Sequence, residues 1–321
     1  MKPSVSVIIP VHNVEQYIGA AIDSALAQTL PQVEVIVVDD CSTDRTVEVV
    51  RRYRDPRVHV HLNTANQGPS QSRNTAIGLA QGAWVAVLDA DDWWKPDRLE
   101  RLLSLAEAQR ADIVCDDLLL VNAAEAEPWS TLFTVRARSL GRIQQPFDVS
   151  AVKMATDDYG ILKPLIRKAF LDATGIRYNP EARAGEDFEL LLRCLLASAR
   201  MVVSHEALYF YRARPGSLVA DPIRCLTGIV GMADALIRTL DAGAHGAVVS
   251  ALEGYRHRKQ DELDDARFRV PLCEGRWREC MSLAVKNPAR WTRYLGMVAE
   301  RVLPAALLLL SMAWLSGSVF A

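Results

Sequence analysis

Three carboxylates, Asp89, Asp91 and Asp92, fall within four residues directly after the apolar run 83–88. Asp89 and Asp91 are two apart, so both can turn toward one point as the chain leaves a strand. Hard oxygen ligands grouped this way suit Mg²⁺ or Mn²⁺, which bind through one or two carboxylates together with substrate phosphates. The simpler reading makes Asp92 a cap for the helix that Pro96 helps to start. Three other polar stretches also follow apolar runs. They are Pro10-Val11-His12-Asn13, the segment 39–44 with Asp39, Asp40 and Asp44, and the segment 63–74 with Asn66, Gly68, Arg73 and Asn74. If those runs are strands of one parallel sheet, all four stretches gather on one rim, where open α/β sheets bind ligands. Together they can grip a nucleotide and its diphosphate.

The elements that would position these groups alternate regularly. Apolar runs at 5–9, 33–38, 58–62 and 83–88 read as strands. Helical patterns fill the gaps at about 14–28, 43–53 and 70–81, with Ile18, Ile22, Ala25 and Leu26 on one face of the first. Such alternation predicts βαβ units and a parallel sheet with helices on both faces. A helix at 96–108 and a short strand at 113–115 continue it. Between 116 and 154 the periodicity is lost, and a mobile, substrate-facing insertion is expected there. Order returns at 161–166, followed by a helix that Gly175 stops. Gly185-Glu186-Asp187 opens an apolar helix to 197, where the two acids could simply offset the helix N-terminus. A strand at 201–203 leads to Tyr209-Phe210-Tyr211-Arg212, and from about Pro222 the pattern is helical.

The 321 residues carry 37 Lys and Arg against 39 Asp and Glu, for a formal net charge of −2. Half are hydrophobic, so a packed core is expected rather than disorder. The near-neutral charge and the lack of a basic–aromatic strip argue against a nucleic-acid partner. Six cysteines without CxxC or Cys/His spacing read as reduced, mostly buried thiols, not as a zinc site or disulfide framework. No signal peptide is visible. One end differs: Val302 to Ala321 holds no charged residue, and Arg276, Arg278, Lys286, Arg290, Arg293 and Arg301 precede it. That length approaches the ~20 apolar residues that span a bilayer. The tail 302–321 is therefore expected to hold the chain on a membrane from its cytoplasmic side, where basic flanks are favoured, either spanning the bilayer or lying on it; the alternative is a final helix packed on the rest of the chain.

Taken in order, SVIIPVHN (6–13), VVDDCSTDRT (37–46), NQGPSQSRNTAI (66–77), VLDADDWWKPDRL (87–99) and GEDFELLLR (185–193) resemble the motif set of family 2 glycosyltransferases. The similarity covers roughly residues 4–215. It implies the α/β GT-A fold, a Rossmann-like, mostly parallel sheet with flanking helices. A nucleotide-sugar-binding part (1–115) and an acceptor and catalytic-base part (116–220) would be followed by a helical extension (221–301) and the tail (302–321). By this resemblance Asp40, or Asp39 beside it, would accept a hydrogen bond from the uracil ring of a UDP-sugar. Pro10 would wall the base pocket, with Asn13 in the same site, and Asp44 would form the Asx turn that starts the next helix. Arg73 would contact the nucleotide, although an arginine at a helix start is commonly a surface ion-pair partner.

Asp91 resembles the family's metal ligand and Asp89 its companion toward ribose or metal-bound water, the ion being Mn²⁺ or Mg²⁺. Asp187 matches the catalytic base, with Glu186 as a supporting carboxylate. Trp93 and Trp94 could form a platform for sugar rings or simply pack. Many relatives carry a histidine near Arg214; here the guanidinium would pair with the diphosphate instead. The implied activity is inverting, metal-dependent transfer of one sugar from a UDP-sugar to a glycan acceptor. Processive synthases of the family carry QxxRW shortly after the base. The nearest string, Asn287-Pro288-Ala289-Arg290-Trp291, has the wrong first residue and lies too far downstream, so single-sugar transfer is favoured. With the tail, the reading points to a lipid-linked oligosaccharide acceptor at the cytoplasmic face of the bacterial inner membrane, in exopolysaccharide, capsule or lipopolysaccharide assembly. The alternatives are a related sugar-nucleotide transferase and a nucleotide-sugar-binding protein that has lost catalysis. Intact Asp91 and Asp187 speak against the loss.

Overall fold

The computed structural model describes residues 2–122, 127–214 and 220–299. The tail expected on the membrane lies outside the described residues, as does the segment just after Arg214. The chain runs β1 (Val5–Val11), α1 (Ile18–Leu26), β2 (Val33–Asp39), α2 (Thr46–Arg51), β3 (Val58–Leu62), α3 (Pro69–Leu79) and β4 (Trp84–Val87). A short β5 (Trp93–Trp94), α4 (Arg98–Gln109) and β6 (Ile113–Asn122) follow. Next come β7 (Ser130–Thr131), α5 (Leu132–Val135), α6 (Ala137–Leu140), β8 (Phe147–Val149) and α7 (Ala151–Asp157). Then β9 (Leu165–Arg167), α8 (Lys168–Thr174), α9 (Glu186–Leu196) and β10 (Met201–Ala213) lead to α10 (Pro222–Thr239), α11 (Ala242–Cys273) and α12 (Trp277–Lys286).

All the strands join one sheet along the path β3-β2-β1-β4-β9-β6-β10-β5, with β7 beside β6 and β8 beside β10. β1 to β4 pair in parallel, and so do β6 and β10. Strands β1, β2 and β4 are almost wholly buried, as their apolar runs require. The chain steps outward from β1 through β2 to β3, then returns to β1's other side as β4. That reversal is a topological switch point, the place where such sheets open a ligand crevice.

The sheet is mostly parallel, as expected, but β9 is antiparallel to both β4 and β6. The consequence is functional. The amino end of an antiparallel strand lies at the carboxyl ends of its parallel neighbours, so the residues entering β9 join the same rim. One correction concerns 116–154, expected to be a mobile, substrate-facing insertion. The described part continues β6 through Asn122 and then forms β7, α5, α6, β8 and α7. Burial of β6 on both faces, with Asp116 and Asp117 inside, had erased any alternation. The first helix also starts later than its apolar pattern suggests, at Ile18. Thr46 Oγ1 and Asp44 Oδ2 accept from the backbone N–H groups of Val14 and Glu15 and hold them in a turn.

The main core extends into the C-terminal helices, for Leu252 and Tyr255 of α11 belong to it, and Tyr255 stacks on Phe188 at 4.5 Å. A smaller cluster joins Phe268, Leu272, Cys280, Tyr294 and Met297. No helix among the described residues is long and apolar enough to cross a membrane. Cys115, Cys194 and Cys280 are buried as expected, whereas Cys41 and Cys225 are half-buried and Cys273 is exposed.

Beneath the acidic turn lies a fully buried ion pair. Arg98 Nε and Nη2 donate to Asp116 at 3.1 and 2.7 Å, and the guanidinium sits 4.5 Å over the Trp94 ring. Trp94 is thus a packing residue. Breaking such a pair from one side costs roughly 3–5 kcal/mol, because the remaining charge stays buried alone. Asp116→Ala should lower stability by about that amount, read from the midpoint of urea unfolding. A loss well under 1 kcal/mol would mean that the pair does not support this floor.

Candidate functional site

The switch point opens onto a cavity of about 550 Å³, walled by Arg73, Asp89, Asp91, Lys163, Glu186 and Asp187 among others. Lys163 ties its acidic wall together. Its Nζ is 2.6 Å from Asp187 Oδ2 and 2.8 Å from Asp89 Oδ2, and its side chain is only 7% exposed. Arg73, equally buried, donates to Asp89 Oδ1 at 2.8 Å and to Glu186 Oε1 at 3.0 Å. The Tyr178 hydroxyl donates to Asp187 Oδ1 at 3.0 Å. Three carboxylates thus share two buried cations. Burial works against an ionised Asp89, but Lys163 and then Arg73 outweigh it and hold that carboxyl well below the usual range. Burial likewise disfavours the charged Lys163, yet Asp187 and Asp89 raise its ammonium well above the ordinary value.

Two glycines make this convergence possible. Gly185 precedes α9 with φ +78°, a left-handed conformation that a side chain disfavours. It turns the chain so that Glu186 and Asp187 fill the first helical turn facing the rim. At Gly160 a Cβ would stand 2.5 Å from Phe188 Cβ, so only glycine lets the segment before β9 lie against α9. Antiparallel β9 then delivers Lys163 beside Asp89. Neither Lys163 nor Tyr178 was foreseen as a site residue. A signal existed for the lysine: it interrupts the apolar run 161–166, and lysine is almost never buried unless paired.

The acidic turn is strapped down by the far end of β10. Asp92 accepts from the Tyr209 hydroxyl and from the Arg212 N–H, both at 2.8 Å. It does not cap α4, whose N-cap residue is Asp97. Burial, reinforced by Asp91 and Asp89, pushes the Asp92 carboxyl well above its usual range. Tyr209 Oη also accepts from the Asp89 N–H at 3.1 Å. Trp93 stacks on Phe210 at 4.9 Å and lies under the Arg212 guanidinium, so its ring is packed. Arg214 Nε meets Asp91 Oδ2 at 2.5 Å.

No group of three or more His, Cys, Asp or Glu side chains is placed to hold a metal among the described residues. Both Asp89 oxygens are engaged with cations, whereas Asp91, on the cavity wall, is held by Arg214 through Oδ2, so its Oδ1 is the carboxylate oxygen best placed for direct ligation. One hard oxygen donor in a cavity also lined by Arg73 and Arg214 fits Mg²⁺ or Mn²⁺, which commonly take few protein ligands and fill the rest with phosphate and water.

On the opposite side the loops after β1 and β2 are tied together. Asn13, in a left-handed conformation, accepts through Oδ1 from the Thr43 N–H at 2.7 Å and donates from its own N–H to Ser42 Oγ. Asp40 accepts from the Gln67 and Gly68 N–H groups at 2.9 and 2.7 Å and from Asn63 Nδ2 at 2.8 Å, which fixes the turn before α3. Asp39 Oδ2 accepts from the Ser42 N–H, while Oδ1 is buried with no hydrogen-bond partner among the described residues. Pro10 lies in β1 in register with Val38. Asp44 makes the expected turn, accepting from the Thr46 N–H and Oγ1. Arg73, by contrast, is not a surface residue but a buried link between Asp89 and Glu186.

A family model described as Glycosyl transferase family 2 matches residues 6–167. The succinoglycan biosynthesis protein ExoO of Rhizobium meliloti (strain 1021) is 34% identical, over 89% of this chain and 81% of that protein. ExoU of the same organism, also a succinoglycan biosynthesis protein, is 35% identical over 67% of this chain and 63% of its own length. Among solved structures, S. aureus TarS 1–349 in complex with UDP-GlcNAc aligns with a TM-score of 0.63 at 23% identity, covering 84% of this chain and 80% of that one. The mannosyltransferase PcManGT from Pyrobaculum calidifontis, in complex with GDP-Man and Mn²⁺, aligns with a TM-score of 0.61 at 22% identity, covering 94% and 88%. At such identities the structural likeness speaks for the fold alone.

Proposed function

This chain is a member of glycosyl transferase family 2, a glycosyltransferase with the GT-A fold of its structural neighbours, and from that premise we propose that it transfers one sugar from a UDP-sugar to a glycan acceptor with inversion. The observation that carries the reading is the meeting of Asp91, Asp89 and Asp187 in one cavity at the switch point. Asp187 is the base. It takes the proton of the acceptor hydroxyl while that oxygen attacks the anomeric carbon, the bond to the diphosphate breaks on the opposite face, and UDP leaves. Tyr178 and Lys163 orient its two oxygens. Asp39 and Asp40 are the carboxylates for the nucleobase: Asp39 Oδ1, buried and without a hydrogen-bond partner among the described residues, accepts from a ring N–H once the chain over it opens. Arg214 can exchange Asp91 for the diphosphate, a charge-assisted contact of the strong kind.

Asp91, with Asp89 behind it, would hold Mn²⁺ or Mg²⁺, whose chemistry there is to offset charge gathering on the diphosphate. A mannosyltransferase of the same fold is complexed with GDP-Man and Mn²⁺, which agrees with a divalent cation in this fold and assigns no ligand residue here. UDP should therefore raise the melting temperature with Mn²⁺ or Mg²⁺ present and far less after chelation, since only the folded state binds. Asp91→Ala should lose the metal-dependent part of that gain. A variant that gains as much as the wild type would sink the metal assignment.

The succinoglycan biosynthesis relatives support a role in exopolysaccharide assembly. The acceptor in this reading is a lipid-linked oligosaccharide at the cytoplasmic face of the bacterial inner membrane, and the uncharged tail 302–321 is the anchor. Fractionation checks it: full-length protein should sediment with membranes, and a chain ending at Arg301 should not. Full-length protein that stays soluble without detergent would refute the anchor.

A further inference from the structure

Five large apolar side chains on the last helices stand in solvent. On α12, Trp277, Met281 and Val285 are 49, 63 and 68% exposed, and on the helix 291–299, Trp291 and Leu295 are 46 and 63% exposed. Their spacing of four residues makes a narrow stripe on each helix. The inner sides of both helices are occupied, because Cys280, Tyr294 and Met297 pack on Phe268 and Leu272 of α11. In each helix an exposed apolar residue directly follows an inward one: Met281 after Cys280, Leu295 after Tyr294. One residue is a rotation of about 100°, so the stripes border the packed seam and are not part of it.

The surroundings are basic. Arg278 and Lys286 are exposed. Arg276 pairs with Glu274 and Glu279, and Arg290 and Arg293 pair with Asp261, Asp264 and Asp265 of α11, so Arg278 and Lys286 are the basic groups this face offers. The chain then runs on from Val302 without a charge to Ala321. Apolar stripes with tryptophans, flanked by arginine and lysine and continuous with an uncharged segment, have the chemistry of helices that lie in a membrane interface.

We propose that the exposed face formed by α12 and the helix 291–299 beds into the head-group layer of a bilayer containing anionic lipids. This deepens the membrane reading above and rests on it, but it uses different residues from the tail. Arg278 and Lys286 meet the anionic head groups, and Trp277 and Trp291 sit at the level of those groups. The single helix α11 links this face to the active site. Lys259 lines the cavity, and Leu272 of the packed seam is thirteen residues further along the same helix, about 20 Å at 1.5 Å per residue. Docking would hold the cavity at a set height above the bilayer, where a lipid-linked acceptor presents its sugar.

The test follows amide hydrogen exchange in the full chain with vesicles of phosphatidylglycerol and phosphatidylcholine, and with phosphatidylcholine alone. Exchange over 277–299 should slow at least tenfold with the anionic vesicles and little with the neutral ones. The double substitution Met281→Glu and Val285→Glu should remove that protection while UDP-sugar hydrolysis in solution is unchanged. Vesicle protection confined to 302–321 would overturn the docking face and leave the tail anchor standing. Protection of 277–299 with none in the tail would do the reverse. Two results obtained without vesicles would also overturn it. Protection that grows with protein concentration would assign the face to a second copy, and protection lost in a chain ending at Arg301 would assign it to the tail.

Discussion

Asp187→Asn should lower sugar transfer by about 10²–10⁴-fold, the usual worth of a positioned general base, while donor binding persists. Asparagine matches aspartate in size. Its amide oxygen can still accept from Lys163, which now meets Asp187 Oδ2 at 2.6 Å, and its NH₂ can face the Tyr178 hydroxyl oxygen. The fold therefore tolerates the change, but the proton acceptor is gone. Single-turnover transfer and UDP binding measured on the same variant separate the possibilities. Turnover near wild type would move the base elsewhere, first to Glu186, whose Oε1 is held by Arg73. Lost donor binding would instead show that the start of α9 had been disturbed.

Lys163→Met should cost both stability and catalysis. The side chains are similar in length, yet methionine leaves oxygens of Asp89 and Asp187, each within 2.8 Å of the lost nitrogen, facing each other in a buried space. Removing one partner of a buried ion pair costs roughly 3–5 kcal/mol. The pH dependence should change with a definite sign. In the wild type, Asp89's depressed carboxyl contributes stability above its unfolded value near ~4 and loses it as pH falls further. Without Lys163, the stronger of the two cations that outweigh burial there, that acid-side loss should shrink. Urea midpoints from neutral pH down to about pH 3 would check both effects. Combined with Asp187→Asn, the loss should be smaller than the two losses added, because both act on one network. Full additivity, or wild-type stability in Lys163→Met, would refute the shared clamp.

What could be read directly from the residues is what depends on near neighbours in the chain. Apolar runs, glycine punctuation and acidic turns placed β1, β2, β4 and α9. The rule that parallel strands share a rim then brought the polar loops with Asp89 and Asp91 together, while Asp187 was joined to them only by the family motif. Gly185 and Gly175 marked a helix start and a helix stop for the same reason: a left-handed residue is a local need, visible in one letter. The motif set also carried the family, because its spacing repeats the sheet's own order of strands and loops.

What the tertiary structure alone decided is which charges meet. Tyr209 reaches Asp92 and the Asp89 N–H across well over a hundred residues, and Arg214 reaches Asp91 across a similar gap. Neither contact leaves a periodic trace. Lys163 is the clearest case. Its position depends on β9 pairing antiparallel between β4 and β6, a choice set by backbone hydrogen bonds and burial between distant segments. Loss of pattern in 116–154 misled for a related reason, since a strand buried on both faces has no polar face to alternate with. Types and spacings could nominate the carboxylates; only packing could show that each is already held by a particular cation or hydroxyl, because burial makes an unpaired charge too costly to leave alone.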